Sequence, residues 1–124
     1  MASVLIVDDN LLNLELTGFL LREDGLEVLT APDAAGTLSL LSERGVDLIL
    51  MDIQLPDVDG IALTRRLKAA PSTRGVVIVA YTAYAMKGDE ARMLEAGCDS
   101  YIAKPIDVHT FAAQVRALLP PGVS

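Results

Sequence analysis

The sequence has little sulfur, few aromatic rings and few positive charges. Cys98 is its only cysteine, which excludes an internal disulfide and leaves too few sulfur ligands for a zinc or iron–sulfur site. There is no tryptophan, and aromatic residues make up 4% of the chain, so the core must be aliphatic. Ten basic residues stand against 17 acidic ones, for a net charge of −7. This balance argues against nucleic acid as a direct partner, because phosphate binding needs clustered lysine and arginine.

Long apolar runs and targeting signals are also missing. No run approaches the roughly 18 apolar residues of a membrane span, so we expect no contact with a membrane. Met1-Ala2-Ser3 leads directly into a strand-like run, without the basic region or cleavage site of a signal peptide. We therefore expect a cytoplasmic protein. Its 124 residues are enough for one core and too few for two, so we expect a single domain over residues 1–124.

Short aliphatic runs alternate with segments of helical periodicity, five times along the chain. The runs predict strands at 4–7, 26–31, 48–52, 76–81 and 100–103. The helices between and after them have their apolar residues at helical spacing. Their predicted caps are Asn10 and Asp33, and their predicted stops include Gly25 and Gly97. The alternation predicts a parallel sheet with helices on both faces.

Four of the five predicted strands end in polar residues. Asp8 and Asp9 end the first strand, Asp52 the third, Thr82 the fourth and Lys104 the fifth. Asp52 comes after four apolar residues and before a turn containing Pro56, as expected for a strand buried on both faces. The carboxyl ends of parallel strands share one edge of the sheet, where α/β proteins bind ligands. We therefore expect these side chains to converge.

Three converging carboxylates need a positive partner, because their mutual repulsion raises their pKa values. A hard divalent cation such as Mg²⁺ prefers oxygen ligands and supplies that charge. Lys104 adds an ammonium and Thr82 a hydroxyl donor. A phosphoryl group arriving at Asp52 would find partners for its oxygens, which is how proteins catalyse phosphoryl transfer.

From about Ser3 to Leu119 the chain resembles the receiver domain of two-component response regulators. The matching motifs are Val7-Asp8-Asp9-Asn10, Asp47-Leu-Ile-Leu-Met-Asp52-Ile-Gln-Leu-Pro56, Thr82-Ala83 and Lys104-Pro105-Ile106. Each motif alone is weak, and together in this order and spacing they are specific. The stretch from Thr82 to Glu90 is similar to stand-alone regulators of the DivK type and to receivers attached to hybrid histidine kinases.

The resemblance implies a flavodoxin-like (βα)5 three-layer sandwich whose parallel five-stranded sheet has the order 2-1-3-4-5. It implies that Asp52 is the phosphoacceptor and a direct Mg²⁺ ligand together with Asp9. Gln54 would bind the ion through its backbone carbonyl, and Asp8 through water.

The resemblance also implies roles at the ends of the last two strands. Thr82, Lys104 and the Ala83 amide would bind the phosphoryl oxygens, and Thr82 and Tyr101 would form the switch. The bond between Lys104 and Pro105 would be cis. The phosphodonor would be a histidine kinase or a histidine phosphotransfer protein. A downstream protein would bind the fourth helix, fifth strand and fifth helix.

We thus expect a stand-alone signalling domain that catalyses only its own phosphorylation and dephosphorylation and is not otherwise an enzyme. A receiver cut from a hybrid histidine kinase is the alternative. A flavodoxin-like cofactor-binding protein is disfavoured, because Asp8-Asp9 stand where a glycine-rich phosphate loop would be. A receiver that never takes phosphate is disfavoured because every acidic position and Lys104 are present. We expect Cys98 to be a small buried apolar residue and His109 a surface residue rather than a phosphodonor.

Overall fold

A computed structural model describes residues 2–82 and 89–120 of the chain. It has five strands: β1 (Ser3–Val7), β2 (Glu27–Ala31), β3 (Leu48–Asp52), β4 (Val77–Thr82) and β5 (Ser100–Ala103). Its helices are α1 (Leu11–Glu23), α2 (Ala34–Glu43), α3 (Gly60–Ala69), α4 (Asp89–Ala96) and α5 (Phe111–Leu118).

The strands form one parallel sheet in the order β2-β1-β3-β4-β5, which confirms the predicted topology. The register across the central strands runs from Val7 through Met51 and Ala80 to Tyr101. Every residue of β1 and β3 is buried. These two strands therefore have both faces covered, as their continuous apolar runs predicted.

Two separate apolar layers cover the sheet, since successive side chains of a strand point to opposite faces. One layer joins strand residues such as Ile49 and Met51 to α2, α3 and α4. The other joins strand residues such as Leu50 and Tyr81 to α1 and α5, with Phe111 completely buried. The result is the expected three-layer sandwich, and its central layer delivers the strand ends to one edge.

The predicted helix boundaries depend on particular side chains and glycines. Asn10 caps α1 by accepting a hydrogen bond from the Asn13 amide at 3.1 Å, and Asp33 caps α2 through the Gly36 amide at 2.7 Å. Gly25 and Gly97 have φ values of +86° and +113°, in the left-handed region that glycine tolerates best. These caps and stops are confirmed.

Several element boundaries differ from the sequence prediction by one or more residues, and three of the differences move Thr82, Val58 and Val108. Thr82 lies inside β4 rather than after it, because it pairs with Ala103 and its carbonyl accepts from the Lys104 amide at 2.8 Å. Val58 and Val108 were expected within helices. Both precede them and are 42% and 48% exposed, because the helices begin later, at Gly60 and Phe111.

Helix α1 forms where the periodicity predicted it, but much of its apolar surface faces outward. Leu21 is completely buried, together with Thr17 and Gly18. Four large apolar side chains are exposed by 43–75%: Leu11, Leu12, Leu16 and Phe19. Apolar spacing thus identified the helix without identifying its buried face. Cys98 is buried and His109 exposed, as expected.

Within residues 2–82 and 89–120, no helix combines the length and the apolar character needed to cross a bilayer.

Candidate functional site

The strand ends bring five predicted site residues to one edge of the sheet. They line an open cleft of about 410 Å³ together with residues of α1 and of the segment after β3. Its lining consists of Asp8, Asp9, Asn10, Asn13, Asp52, Gln54, Leu55, Thr82 and Lys104. The convergence follows from the parallel topology, which places residues 96 positions apart within ion-pair distance.

Asp8 is the most deeply buried carboxylate of this cleft, with no solvent exposure. Its backbone amide donates to the Ala31 carbonyl of β2 at 3.1 Å, which extends the sheet by one residue. One carboxylate oxygen accepts from the Asn10 amide at 2.9 Å. The other lies 3.2 Å from the Lys104 ammonium. Asp8 is therefore fixed by its own turn and by a charge from the far end of the chain.

Asp52 ends β3 and is 6% exposed. Its Oδ1 accepts from the Gln54 amide at 2.9 Å, and its Oδ2 lies 3.3 Å from the Lys104 ammonium. Burial raises the pKa of the Asp52 carboxyl above its ordinary value, and the charge of Asp8 acts in the same direction. The Gln54 amide and the Lys104 charge oppose that shift. Asp52 is held rigidly at the strand end and is partly accessible from the cleft, so it can contact an incoming group.

Lys104 supplies the positive charge shared by these two carboxylates. Its side chain is 17% exposed, and its backbone follows β5 directly. The peptide bond between Lys104 and Pro105 is cis. Because Asp8 and Asp52 are almost completely buried, water screens their attraction to the ammonium far less than it would at a surface ion pair.

The ammonium of Lys104 also lies over the ring of Tyr81, 4.5 Å from the ring centroid. Tyr81 is 2% exposed, and its ring packs against Phe111 with centroids 6.2 Å apart. Burial, with the nearby charges of Asp8 and Asp52, raises the pKa of Tyr81 to about 12. Its hydroxyl therefore stays protonated at neutral pH, and the ring meets Lys104 as a neutral aromatic face.

The carboxylates fit a metal ion by both chemistry and spacing. One oxygen from each of Asp8, Asp9 and Asp52 can be chosen so that all three lie within 4.8 Å of one another. Asp9 is exposed at the mouth of the cleft, so one side of the cluster is open to solvent. An all-oxygen set of this kind suits a hard cation, and the nearby ammonium shows that positive charge is already favoured there.

The segment between β3 and α3 is held close to Asp52. Gly60 begins α3 and donates its amide to the Ile53 carbonyl at 2.9 Å. A Cβ on Gly60 would lie 2.3 Å from the Asp52 carbonyl oxygen, so only glycine fits. Gln54, whose carbonyl was predicted to bind metal, is exposed between these fixed points.

A further aspartate ties the same segment to α2. Asp57 accepts hydrogen bonds from the Ala34 and Ala35 amides, both at 3.0 Å, and from its neighbour Val58 at 2.8 Å. The Ala34 amide is the main reason that the pKa of Asp57 is lowered. Asp57 therefore joins the first turn of α2 to the loop that carries Gln54.

The predicted switch residues lie on neighbouring strands. Thr82 is 2% exposed at the end of β4, and Tyr101 is 37% exposed on β5. Ala80 and Tyr101 are register partners, as are Thr82 and Ala103. Ala83, whose amide was predicted to bind phosphoryl oxygen, lies outside the described residues.

Sequence reasoning overlooked Tyr81, Gly60 and Asp57. An aromatic residue directly before Thr82 and a glycine after Asp59 were visible signals. Neither signal predicts the spatial neighbour of the residue. Tyr81 contacts Lys104, and Gly60 lies against Asp52, only in the folded protein. The two hydrogen bonds that Asp57 accepts from α2 amides join residues 22 and 23 positions apart, and no local pattern predicts such a contact.

Comparison with known proteins identifies relatives over nearly the whole chain. The family model of the response regulator receiver domain matches residues 4–116. The chain is similar to the polar-differentiation response regulator DivK of Brucella anthropi, with 44% identity over 117 residues. That alignment covers 94% of this chain and 95% of the relative.

Solved structures show the same architecture. The chemotaxis response regulator CheY4 of Vibrio cholerae superposes with a TM-score of 0.90 at 23% identity, over 96% of this chain and 99% of that one. The receiver domain of a sensor histidine kinase from Pseudomonas aeruginosa is 32% identical, with a TM-score of 0.85 over 94% and 96% of the two chains. That structure has a magnesium ion coordinated in its active site cleft.

Proposed function

The chain belongs to the response regulator receiver domain family of two-component signalling, and on this premise we propose that Asp52 is its phosphoacceptor. The observation that carries the proposal is the convergence at Asp52. A carboxylate at a rigid strand end lies beside two further carboxylates and within 3.3 Å of an ammonium. The phosphorylated chain then signals through contacts with other proteins.

The proposed reaction is transfer from a phosphohistidine. A carboxylate oxygen of Asp52 attacks phosphorus, the phosphorus–nitrogen bond breaks, and the imidazole nitrogen keeps the electron pair and takes a proton from water. The product is an acyl phosphate on Asp52. Lys104 and Thr82 hold the phosphoryl oxygens, since they lie beside Asp52 on the two following strand ends.

We propose Mg²⁺ as the ion of this site. Asp9 and Asp52 would bind it directly, Gln54 through its backbone carbonyl, and Asp8 through a water molecule. When bound, the ion would neutralise negative charge on the carboxylates and on the phosphoryl oxygens. The all-oxygen cluster supports this choice, as does the relative that holds magnesium in its cleft.

We propose that the switch couples Thr82 to Tyr101. A phosphoryl group brings about −1.5 to −2 charges, and the Thr82 hydroxyl would move toward its oxygens to form a charge-assisted hydrogen bond. That movement vacates space at the end of β4, into which the exposed Tyr101 ring turns. The surface of α4, β5 and α5 changes shape, and a partner protein binds the new form.

The proposed phosphodonor is a histidine kinase or a histidine phosphotransfer protein. The exposed apolar side chains of α1 support a protein donor, because α1 begins two residues after Asp9 and Asn13 lines the same cleft. A donor covering Leu12 and Phe19 would bring its histidine beside Asp52. A stand-alone regulator is the proposed form, and a receiver attached to a kinase is the alternative. The cytoplasmic location stays a prediction.

Phosphorylation in vitro tests the assignment of Asp52. With acetyl phosphate and Mg²⁺ we expect one acid-labile, hydroxylamine-sensitive phosphate per chain, detected by intact-protein mass spectrometry. Asp52→Asn should reduce labelling to background. Asp47→Asn is the matched control, because Asp47 adjoins the opposite end of the same strand. Equal labelling of the Asp52 variant and the parent would exclude this site.

Structures with and without a beryllofluoride phosphoryl mimic test the switch. We expect the Thr82 hydroxyl to approach the mimic and Tyr101 to become buried. Thr82→Ala should still accept phosphate while losing most of the phosphorylation-dependent change in partner affinity, about 5- to 150-fold for a typical coupling. Identical Thr82 and Tyr101 rotamers in the two structures would rule out this mechanism.

A further inference from the structure

Tyr81 supplies an aromatic surface directly beneath the ammonium of the site. It pairs in register with Asp52 on one side and Ile102 on the other, so its backbone is fixed by two strands. Its ring belongs to the apolar layer between the sheet and helices α1 and α5. The centroid distance of 4.5 Å to Lys104 Nζ lies within the range of cation–π attraction.

The ring and the carboxylates together define where the ammonium can lie. Asp8 and Asp52 draw Lys104 toward the carboxylate cluster from 3.2 and 3.3 Å. Carboxylate attraction alone leaves a long, rotatable lysine side chain many positions, since an ammonium is a point charge on a flexible stem. The Tyr81 face adds a second, rigid surface, and Phe111 supports that ring from within the core.

We propose that Tyr81 is a positioning residue that acts through Lys104. Its ring holds the ammonium beside Asp52 before a phosphoryl group arrives, so that Lys104 does not have to be ordered during the transfer. The proposal rests on the proposed function of Asp52 and adds to it a residue on the neighbouring strand. The aromatic face of Tyr81 contacts the ammonium and the hydroxyl has no part in this role. Phenylalanine at this position should therefore position Lys104 as well as tyrosine does.

Phosphorylation rates measure this role. With acetyl phosphate at saturating Mg²⁺, Tyr81→Phe should stay within about twofold of the parent, because the ring remains. Tyr81→Leu should be slower by about 3- to 30-fold, the factor expected for losing a partly desolvated cation–π contact. Val115→Ala is the matched control, since Val115 is completely buried in the same apolar layer and its truncation keeps both the Tyr81 ring and its Phe111 contact. It should leave the rate within about twofold.

A double-mutant cycle separates positioning from general destabilisation. If Tyr81 acts through Lys104, then Tyr81→Leu should cause no further slowing in a Lys104→Ala background. An equal slowing in both backgrounds would overturn the proposal, and so would a Tyr81→Leu rate equal to that of the parent. Labelling of Asp52→Asn at the parental level would instead overturn the proposed function itself, so the two failures are distinguishable.

A second measurement needs no variant that could fail to fold. In the parent protein, proton NMR should show the Lys104 ε-methylene resonances shifted upfield by the Tyr81 ring current. The same shift should appear in Tyr81→Phe. Unshifted ε-methylene resonances in the parent would show that the ammonium does not rest on the ring, and the proposal would be wrong.

Discussion

Aspartates at the two edges of the sheet have opposite surroundings. At the edge where the strands begin, called here the amino edge, the carboxylates of Asp47 and Asp99 accept hydrogen bonds from nearby donors. Asp47 Oδ2 accepts from the Ser3 amide at 2.8 Å and the Ser3 hydroxyl at 3.2 Å. Asp99 Oδ2 accepts from the Ile78 amide and from Lys68 Nζ, both at 2.9 Å. These carboxylates stabilise strand starts and loops.

At the carboxyl edge, among residues 2–82 and 89–120, three carboxylates gather around one ammonium. They are Asp8, Asp9 and Asp52, and the ammonium is that of Lys104. Like charges held this close destabilise one another unless a further cation is bound. Identical side chains therefore stabilise the fold at one edge and form the proposed ligand site at the other, and the balance of donors to carboxylates distinguishes the two.

The largest expected effect is a loss of metal affinity when a carboxylate of the carboxyl edge is neutralised. Asp9→Asn removes the charge of a proposed direct ligand and should lower Mg²⁺ affinity by at least about tenfold, or about 1.4 kcal/mol. Asp8→Asn should weaken Mg²⁺ binding less, because Asp8 is proposed to act through a water molecule. Isothermal titration of both variants with Mg²⁺ measures the difference. Parental affinity in the Asp9 variant would break the comparison.

A smaller effect is expected on stability at the amino edge. Asp99→Ala leaves the Ile78 amide without its acceptor and removes one acceptor of Lys68 Nζ, which still donates to the Val76 carbonyl at 2.7 Å. It should cost about 1 kcal/mol of unfolding free energy, since water reaches this carboxylate in part. Asp99→Asn keeps an oxygen for the Ile78 amide and should cost less. Urea denaturation measures both. Both variants should be phosphorylated at the parental rate. A slower rate without a loss of stability would contradict the distinction between a structural amino edge and a functional carboxyl edge.

The smallest effect concerns Asp57, which lies near the functional edge yet is matched by amides. Its pKa in the folded protein is lowered from the ordinary value of 3.8, chiefly by the Ala34 amide. The stabilisation is therefore present above about pH 4 and is lost as pH falls through the folded pKa. Thermal unfolding of the parent and Asp57→Asn between pH 3 and 6 should show a difference that shrinks toward low pH. A constant difference would exclude this titration.

Much of the site was predictable because its residues stand where strands end. The runs before Asp8 and Asp52 predicted buried strands, and parallel topology then placed Thr82 and Lys104 at the same edge. Local capping chemistry likewise identified Asn10 and Asp33. The exposed apolar face of α1 was not predictable from the sequence. The spacing of leucine and phenylalanine indicates a helix, but it does not show which of these side chains are buried and which are exposed.

The sequence alone determined the alternation of strands and helices, the sheet order through its family resemblance, and the identity of the charged residues at the strand ends. Each follows from apolar periodicity or from a short motif, which are local properties of the chain. Only the tertiary structure decided that Lys104 rests on Tyr81, that Gly60 lies against the Asp52 carbonyl and that Asp57 joins α2. Those contacts depend on distances between separate elements, and such distances exist only once the sheet and its two helical layers have packed.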